Sequence, residues 1–342
     1  MLKFLKVALY PISLIYAVLL KVDRKFTIVR KLPKPVISVG NITCGGTGKT
    51  PIVIELLEFL AANKFKSTVL TRGYLRKNKI PMLLKNGASD VCAIASGDEP
   101  LLIARSVPNT IVIVGIDRYK NALVIGSKTN PDVYVLDDGF QHWKIKRNLD
   151  IVCVNVANPF GNDMLIPSGI LREKPKSLKR ADVVVITNCD MVSKDNLNKL
   201  EKKIFELSGK EAILTFYGDF KYKKVDLKTD FNIELLKKSK VYSLSAIGFA
   251  EGFKNSIEKS GITLEDSIIL RDHGRYDNYK LNKLVSQKGT DAYFVVTAKD
   301  AVKLQNVDTK MKEKISVLTI KPQFIKGKER WEQTILKCLQ SF

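Results

Sequence analysis

A glycine-rich loop near the start of the chain constrains the fold most. It follows the apolar run 36–39 and precedes the helix-like run 52–60, so it has the strand–loop–helix context of a phosphate-binding loop. Backbone N–H groups of such a loop surround phosphates, and the dipole of the following helix favours their negative charge. The residues of the loop are Gly45, Gly46, Thr47, Gly48, Lys49 and Thr50.

Two side chains of this loop predict a nucleotide bound together with a metal ion. Lys49 would reach the β- and γ-phosphates, and the Thr50 hydroxyl would ligate Mg²⁺. The strict pattern G-x-x-x-x-G-K-[ST] requires a glycine at position 43, where this chain has Thr43. The alternative is an ordinary glycine turn between a strand and a helix, but such a turn gives the lysine no phosphate to bind.

The composition favours a globular protein with anionic partners. The chain has 342 residues, 45% hydrophobic and 27% charged, which is enough for two domains with substantial cores. Its formal net charge of +22 favours nucleic acid, acidic lipid headgroups or phosphorylated substrates as partners. The five cysteines are scattered, with no C-x-x-C pair and no histidine at zinc spacing, which indicates reduced thiols in a cytoplasmic setting.

The N-terminal segment predicts contact with a membrane surface. An uncharged apolar run at 7–20 is flanked by basic residues, and the first 34 residues contain eight basic side chains against the single acid Asp23. The run is short for a transmembrane helix, Pro11 interrupts it, and no small-residue cleavage site follows. We expect residues 1–34 to form a basic amphipathic segment on an anionic membrane; the alternatives are a helix packed on its own domain and a true span.

The rest of the chain predicts two α/β regions. Apolar strand candidates lie at 36–39, 68–71, 111–114, 133–136, 151–156 and 183–187, then at 241–244, 268–269 and 293–297. Runs this apolar are typical of a parallel sheet covered on both faces. We therefore expect a P-loop NTPase-like α/β/α sandwich with a mainly parallel sheet, plus a second, smaller α/β domain.

These patterns also suggest boundaries between the domains. We predict a P-loop domain at 35–215 and a hinge or linker at 216–230, where the sequence is polar, charged and aromatic. A second α/β domain would follow at 231–342.

Residues that follow the predicted strands are candidates for the site, because ligands bind beyond the carboxyl ends of parallel strands. These residues include Arg72, Arg118 and the run DDGFQH at 137–142. Asp137 ends an apolar strand, as the second metal-site element of P-loop proteins does, and would hold Mg²⁺ opposite Thr50. The alternative is a turn rich in Asp and Gly. Asp138 need not share the metal, since adjacent acids at a strand end point in different directions.

Two acids and two histidines complete the set of candidates. Asp98 and Glu99 precede an apolar helix-like run, where acids commonly cap a helix, but near a metal–phosphate centre they could serve as base and metal ligand. The chain has only two histidines, His142 and His273. A lone histidine is usually structural, yet His273 stands among polar residues and before a glycine, as in a loop that faces a cleft.

The motifs together resemble those of the tetraacyldisaccharide 4′-kinase (lipid A 4′-kinase) family. The similarity covers most of the chain, in order and at the expected spacing. Its segments are VGNITCGGTGKTP, TRGY, GDEP, DRYKNA, LDDGFQH, GNDMLIPSGILRE, DHGRY and TAKDAVK. No segment is unique by itself, but the set is highly specific. In this family Thr or Ser commonly occupies the position of Thr43.

The resemblance implies an activity and a location. The ATP γ-phosphate would be transferred to the 4′-hydroxyl of an acylated glucosamine disaccharide 1-phosphate, which gives lipid IVA in lipid A biosynthesis. The enzyme would lie peripherally on the cytoplasmic face of the inner membrane of a Gram-negative bacterium. No obligate protein partner and no nucleic acid are implied.

The resemblance also implies roles for particular residues. Asp98 would be the base, paired with His273, and Lys49 would act on the transferred phosphate. Glu99 and Thr50 would contact Mg²⁺. Arg118, Gln141, His142 and Arg172 would line the phosphate or acceptor site, in a cleft that the second domain closes. We add Arg72 and Asp138 to this set, since both follow predicted strands.

A different class of protein shares several of these features. A membrane-bound P-loop ATPase switch of partitioning type would have the loop, the Asp element and the amphipathic helix, but it does not explain Asp98 with His273 or the arginine-rich strand ends. A GTPase is less favoured, because the segment 187–190 (TNCD) has the wrong spacing for the guanine-reading N-K-x-D motif. Nucleic-acid binding would rest on charge alone.

Overall fold

The structure is a computed structural model that describes residues 9–88, 90–270, 274, 276–289, 291–304 and 306–342. His273, which the sequence predicts as the partner of the base, lies outside the described residues.

The described residues form strands and helices that alternate along most of the chain. The strands are β1 (Val36–Asn41), β2 (Ser67–Thr71), β3 (Met82–Leu84), β4 (Ile111–Val114), β5 (Val133–Asp137), β6 (Leu149–Asn155), β7 (Val183–Thr187), β8 (Ile213–Lys223), β9 (Val241–Ser245), β10 (Asp266–Ile269), β11 (Tyr293–Thr297) and β12 (Ile315–Lys326). The helices are α1 (Tyr10–Phe26), α2 (Lys49–Ala62), α3 (Ala93–Ser96), α4 (Asp98–Ser106), α5 (Arg118–Val124), α6 (Lys194–Ser208), α7 (Ile233–Lys237), α8 (Ala250–Lys259), α9 (Asn278–Lys288), α10 (Ala298–Ala301), α11 (Thr309–Glu313) and α12 (Lys328–Gln340).

The chain divides into two compact units, each built from separated stretches of sequence. The first unit comprises Met1–Thr71, Asp117–Phe216 and Gln323–Phe342, and the second comprises Arg72–Ile116 and Tyr217–Pro322. Compact units need not coincide with independently folding domains, so the domain boundaries that we derived from the sequence stay a prediction.

The first unit is built around a parallel sheet. Its strand order is β8-β7-β6-β1-β5-β2, and every neighbouring pair runs parallel. Every residue of β1, β2, β5, β6 and β7 is buried, since helices and loops cover both faces. Helix α2 directly follows the loop after β1 and contributes the buried side chains of Leu56, Leu57 and Leu60 to the core. The P-loop therefore begins at the end of β1, a strand that is paired with β5 on one side and with β6 on the other.

The second unit contains a parallel sheet and an antiparallel pair of strands. The sheet has the order β10-β9-β11-β12, with parallel neighbours throughout, and β3 pairs with β4 in antiparallel register. Its core includes Leu244, Phe294 and Val296. The mainly parallel α/β architecture predicted from the sequence is confirmed.

Some strands do not follow from the sequence pattern. β8 continues to Lys223 through the stretch that we expected to be a hinge or linker, and its first six residues are mostly buried while the rest are mostly polar and half-exposed or exposed. β12 has a buried first third followed by residues that are mostly half-exposed or exposed, and β3 has only three residues. The sequence of such a strand predicts it only weakly. Its polar residues become part of a strand through contacts with neighbouring strands, which the local sequence does not specify.

Candidate active site

The phosphate loop joins β1 to α2 in the first unit. Gly45 has φ 102° and Gly48 has φ 78°, a left-handed conformation that glycine adopts without the steric cost of a Cβ atom. Helix α2 begins at Lys49, with Pro51 in its first turn, where a backbone N–H has no helical partner. The loop therefore presents the start of a helix to a bound anion, as expected from the sequence.

Side chains from the ends of three strands donate hydrogen bonds to the phosphate loop. Asn41, at the end of β1, donates to the hydroxyl of Thr47 at 2.8 Å. Asn155, at the end of β6, donates to the Gly46 carbonyl at 2.9 Å, and the hydroxyl of Thr187 in β7 donates to the Thr47 carbonyl at 3.0 Å. These bonds fix the loop conformation before any ligand binds. The sequence does not predict these three anchors, because a polar residue at a strand end gives no signal of the group that it will bind.

The departure from the strict P-loop pattern has a structural reason. Thr43 is buried and forms an antiparallel β-bridge with Leu171, and its carbonyl accepts a 2.7 Å hydrogen bond from Asn41. A bridged, extended backbone suits a β-branched residue and does not need glycine.

Asp137 is the buried end of β5, beside the strand that leads into the loop. It aligns with Val39 of β1, its exposed fraction is 2%, and its Oδ2 accepts a 2.9 Å hydrogen bond from the Thr71 hydroxyl. A carboxylate held in this way keeps one orientation. The position agrees with the metal-site element that the sequence predicts, although the role itself stays a prediction.

Asp138 is the point where cations of the first unit converge. Its carboxylate lies 3.3 Å from Lys49 Nζ and accepts two hydrogen bonds from Arg172 Nη1, at 2.8 and 2.7 Å. Arg118 donates to its backbone carbonyl at 3.2 Å. Burial acts to raise the pKa of the Asp138 carboxyl, but the charges of Lys49, Arg172 and Arg118 outweigh burial and hold that pKa well below its usual range.

This arrangement can bind phosphate by exchange of partners. Lys49 and Arg172 contact the Asp138 carboxylate, which is a third exposed, and Arg118 contacts the backbone carbonyl of the same residue. Lysine and the planar guanidinium of arginine bind phosphate as well as carboxylate. Lys49 and Arg172 can therefore exchange the Asp138 carboxylate for a phosphate.

Two further predicted site residues follow Asp138. The Gln141 amide is occupied within the protein, since it donates to the Asn41 carbonyl and to Glu173 Oε1, both at 2.9 Å. Burial and the charges of Arg118, Arg147 and Lys144 lower the pKa of His142 to about 3. His142 is therefore neutral at pH 7 and would act on a ligand as a hydrogen-bonding group without charge.

The second unit holds the predicted acids. Asp98 and Glu99 open helix α4 after Gly97, whose φ is 94°. Lys299, from α10, lies 3.0 Å from Glu99 Oε1. Arg72, which follows β2, is exposed to solvent. The sequence did not indicate the lysine that pairs with Glu99.

A buried ion pair lies in the same unit. Asp300 is fully buried, its carboxylate is 2.6 Å from Lys303 Nζ, and it accepts hydrogen bonds from the Thr297 hydroxyl at 2.7 Å and from the backbone N–H of Ala246 at 3.2 Å. Burial and the adjacent Asp300 raise the pKa of the Tyr276 phenol far above its usual range. The motif TAKDAVK contributed to the family resemblance, but its sequence did not identify this pair.

The structure thus brings the predicted residues together in two groups. The first unit collects the P-loop, Arg118, Asp137, Asp138, Gln141, His142 and Arg172. The second collects Arg72, Asp98 and Glu99. Among the residues that the structure describes, no group of three His, Cys, Asp or Glu side chains forms a metal cluster.

A P-loop on a parallel sheet, with a lysine, two arginines and two aspartates at the strand ends, defines a P-loop NTPase-like phosphotransfer protein. The family model of Tetraacyldisaccharide-1-P 4′-kinase matches residues 5–340. The chain therefore belongs to the tetraacyldisaccharide-1-P 4′-kinase family, as the sequence motifs predict.

Individual relatives agree with this family. The chain is 32% identical over 316 residues to the tetraacyldisaccharide 4′-kinase of Pelobacter propionicus, with 90% of this chain and 85% of the relative covered. It is 32% identical over 313 residues to that of Aquifex aeolicus, with 89% and 91% covered. A crystal structure of LpxK from Aquifex aeolicus in complex with ATP is similar with a TM-score of 0.78, at 29% identity and over 98% of this chain and 99% of that one.

Proposed function

We propose that this chain transfers the γ-phosphate of ATP to the 4′-hydroxyl of tetraacyldisaccharide 1-phosphate, with lipid IVA as the product. Membership of the kinase family supports this activity. The observation that carries it is the cluster in which Lys49 of the P-loop and Arg172 share the Asp138 carboxylate. Cations on the transferring phosphate are the main requirement of such a reaction.

In the proposed mechanism, Asp98 is the base and the P-loop holds the nucleotide. A sugar hydroxyl is a weak nucleophile, and a carboxylate can orient it and accept its proton as the new bond between the 4′-oxygen and the γ-phosphorus forms. The bond from the γ-phosphorus to the β–γ bridging oxygen breaks, and ADP leaves. Lys49, Arg118 and Arg172 stabilise the charge on the phosphate oxygens, and His273 would support Asp98.

Three of the predicted site residues carry oxygen donors that suit Mg²⁺. We assign it to Thr50, Asp137 and Glu99, since Mg²⁺ is usually held by hydroxyl or carboxylate oxygens together with substrate phosphates. When bound, it neutralises charge on the β- and γ-phosphates. The structural observation that favours this assignment is that Asp137 is buried and that the Thr71 hydroxyl donates a hydrogen bond to its carboxylate.

We place the chain peripherally on an anionic membrane, at the cytoplasmic face of the inner membrane, and the exposed side of the N-terminal helix supports the contact with a membrane surface. On one side, α1 packs on the first unit through Ser13, which bonds to Ser168 Oγ at 2.9 Å, and through Tyr16, which donates to the Arg172 carbonyl at 3.0 Å. The other side exposes apolar residues: Ile12, Leu14, Ile15, Val18, Leu19, Val22 and Phe26. Of the helices that the structure describes, none is both long and apolar enough to cross a bilayer.

The activity is tested by phosphate transfer in detergent. The protein is incubated with γ-labelled ATP and the disaccharide 1-phosphate, and we expect label in a bis-phosphorylated lipid. Label released only as inorganic phosphate would instead favour the partitioning-type ATPase switch.

The membrane contact is tested by a double substitution on the exposed side of α1. Ile15→Gln with Leu19→Gln should weaken partition onto anionic vesicles by about tenfold or more, because two apolar side chains no longer enter the interface. ATP binding should not change, since neither side chain belongs to the nucleotide site. Phe205→Gln on α6, which removes a similarly exposed aromatic side chain elsewhere, is the control. Unchanged partition of the double variant would refute the proposed contact.

A further inference from the structure

A basic pocket lies beside the C-terminal end of α1, apart from the P-loop. Its volume is about 290 Å³. The residues that line it include Arg24, Val29, Trp143, Lys146, Arg147 and Arg180. Neither the family motifs nor the proposed kinase chemistry uses this pocket.

Three guanidinium groups surround one indole ring in this pocket. The Cζ atoms of Arg24, Arg180 and Arg147 lie 5.2, 4.8 and 5.7 Å from the centre of the Trp143 ring. The aromatic ring holds each cation by a cation–π contact and so gathers like charges that would otherwise separate. Such an arrangement orients guanidinium groups in advance for an acceptor with several oxygens.

The charges of the pocket are not balanced within the protein. Asp150 is paired with Arg147 at 3.1 Å, and Glu173 is paired with Arg180 at 2.9 Å. Arg24 and Lys146 add two further positive charges to the lining. Burial lowers the pKa of Arg24 most, and the charges of Arg180 and Arg147 lower it further, against the opposing charge of Glu173. Part of this shift therefore reflects repulsion among the cations. An anion in the pocket would remove that repulsion.

The surroundings of the pocket are apolar and exposed. Phe26, Ile28 and Val29 follow Arg24 along the chain, with exposed fractions of 72%, 73% and 59%, and Val29 itself lines the pocket. Exposed apolar side chains next to a cluster of cations are typical of a surface at the boundary between headgroups and acyl chains.

We infer that this pocket binds the phosphate of an anionic lipid headgroup in the membrane on which α1 lies. The guanidinium groups and Lys146 would contact the phosphate oxygens, and the exposed apolar segment at 26–29 would contact the acyl chains. The inference rests on the proposed membrane contact of α1 but not on the kinase reaction. The pocket would then make membrane binding selective for anionic lipids, in addition to the nonspecific attraction between a basic surface and an anionic membrane.

Two matched pairs of variants test the site on vesicles. Arg24→Gln is compared with Lys21→Gln on the same helix, and Lys146→Gln with Lys144→Gln on the same loop; the second member of each pair removes an equal charge outside the pocket lining. A basic residue near an anionic surface contributes about fivefold to partition wherever it lies. On phosphatidylglycerol-containing vesicles we expect each pocket variant to lose about tenfold more than its control, as for charge-assisted hydrogen bonds. On neutral vesicles the members of a pair should not differ.

Binding of a soluble headgroup analogue distinguishes a site for a lipid headgroup from a site for free inorganic phosphate. The chain has two tryptophans, so in a Trp331→Phe background the remaining fluorescence reports on Trp143. Glycerol phosphate should change this fluorescence, and Lys146→Gln should weaken the response more than Lys144→Gln does. Equal losses within both pairs on anionic vesicles would overturn the proposal. A response to inorganic phosphate without any pair difference on vesicles would also overturn it, since the pocket would then be a site for free phosphate. No readout depends on phosphate transfer, so failure of the kinase proposal would be seen separately.

Discussion

Asp98→Ala should lower the rate constant of phosphate transfer by about 10²–10⁴-fold, the usual contribution of a general base. The acceptor hydroxyl would lose the group that orients it and takes its proton, whereas the P-loop in the first unit would be intact. We therefore expect ATP affinity to stay close to that of the unchanged protein. The chemical step is measured by single-turnover transfer of labelled γ-phosphate, with the enzyme in excess over the lipid acceptor and the nucleotide at a saturating concentration.

Two companion variants make this result specific. Asp98→Asn keeps the shape of the side chain and removes its basicity, so it should be impaired nearly as strongly as Asp98→Ala. Glu265→Ala removes an exposed acid from the same unit and should leave the rate unchanged. Near-normal turnover in Asp98→Asn would show that this carboxylate is not the base, and the assignment of His273 as its support would be lost with it.

Asp300→Ala should destabilise the second unit by about 3–5 kcal/mol, because it leaves a buried lysine charge without its partner. Lys303 is only 6% exposed, and Asp300 is not exposed at all. The substitution also removes the acceptor of the hydrogen bonds from Thr297 and Ala246. Denaturant unfolding followed by fluorescence or circular dichroism gives the change in free energy.

The exposed pair Lys237–Glu234 is the matched control for this experiment. Both pairs have a spacing of three residues, with distances of 2.6 and 2.7 Å, but the control side chains are about half exposed. Solvent screens such a pair, so Glu234→Ala should change the stability little. Equal effects of Asp300→Ala and Glu234→Ala would mean that water reaches the Asp300 pair and that its burial contributes nothing.

The parts of the fold that the sequence predicts are those with strong local signals. β1, the P-loop and α2 follow from an apolar run, a glycine pattern and a helix-like run in direct succession. The family follows from motifs spread over the chain and is confirmed by the match at 5–340. The strand ends mark Asp137, Asp138 and Arg118 as neighbours of the loop, because a parallel sheet places such ends on one edge.

Other features depend on contacts between residues that are distant in sequence. The amides of Asn41 and Asn155 hold the P-loop, and Gln141 bonds to the Asn41 carbonyl and to Glu173, which local sequence does not encode. The neutrality of His142 is likewise a property of its surroundings, since burial and neighbouring cations lower its pKa. β8 and β12 carry polar stretches that become strands only beside their neighbours.

The amino-acid sequence by itself therefore determined the class of protein, its family and the nucleotide it uses, because a phosphate loop and ordered motifs are local patterns. The tertiary structure decided which side chains meet. Only the folded chain places Lys49 and Arg172 on Asp138, buries Asp300 against Lys303, and gathers three arginines around Trp143. The physical reason is that charge pairing and burial arise from approach in space, and the order of residues along the chain does not specify that approach.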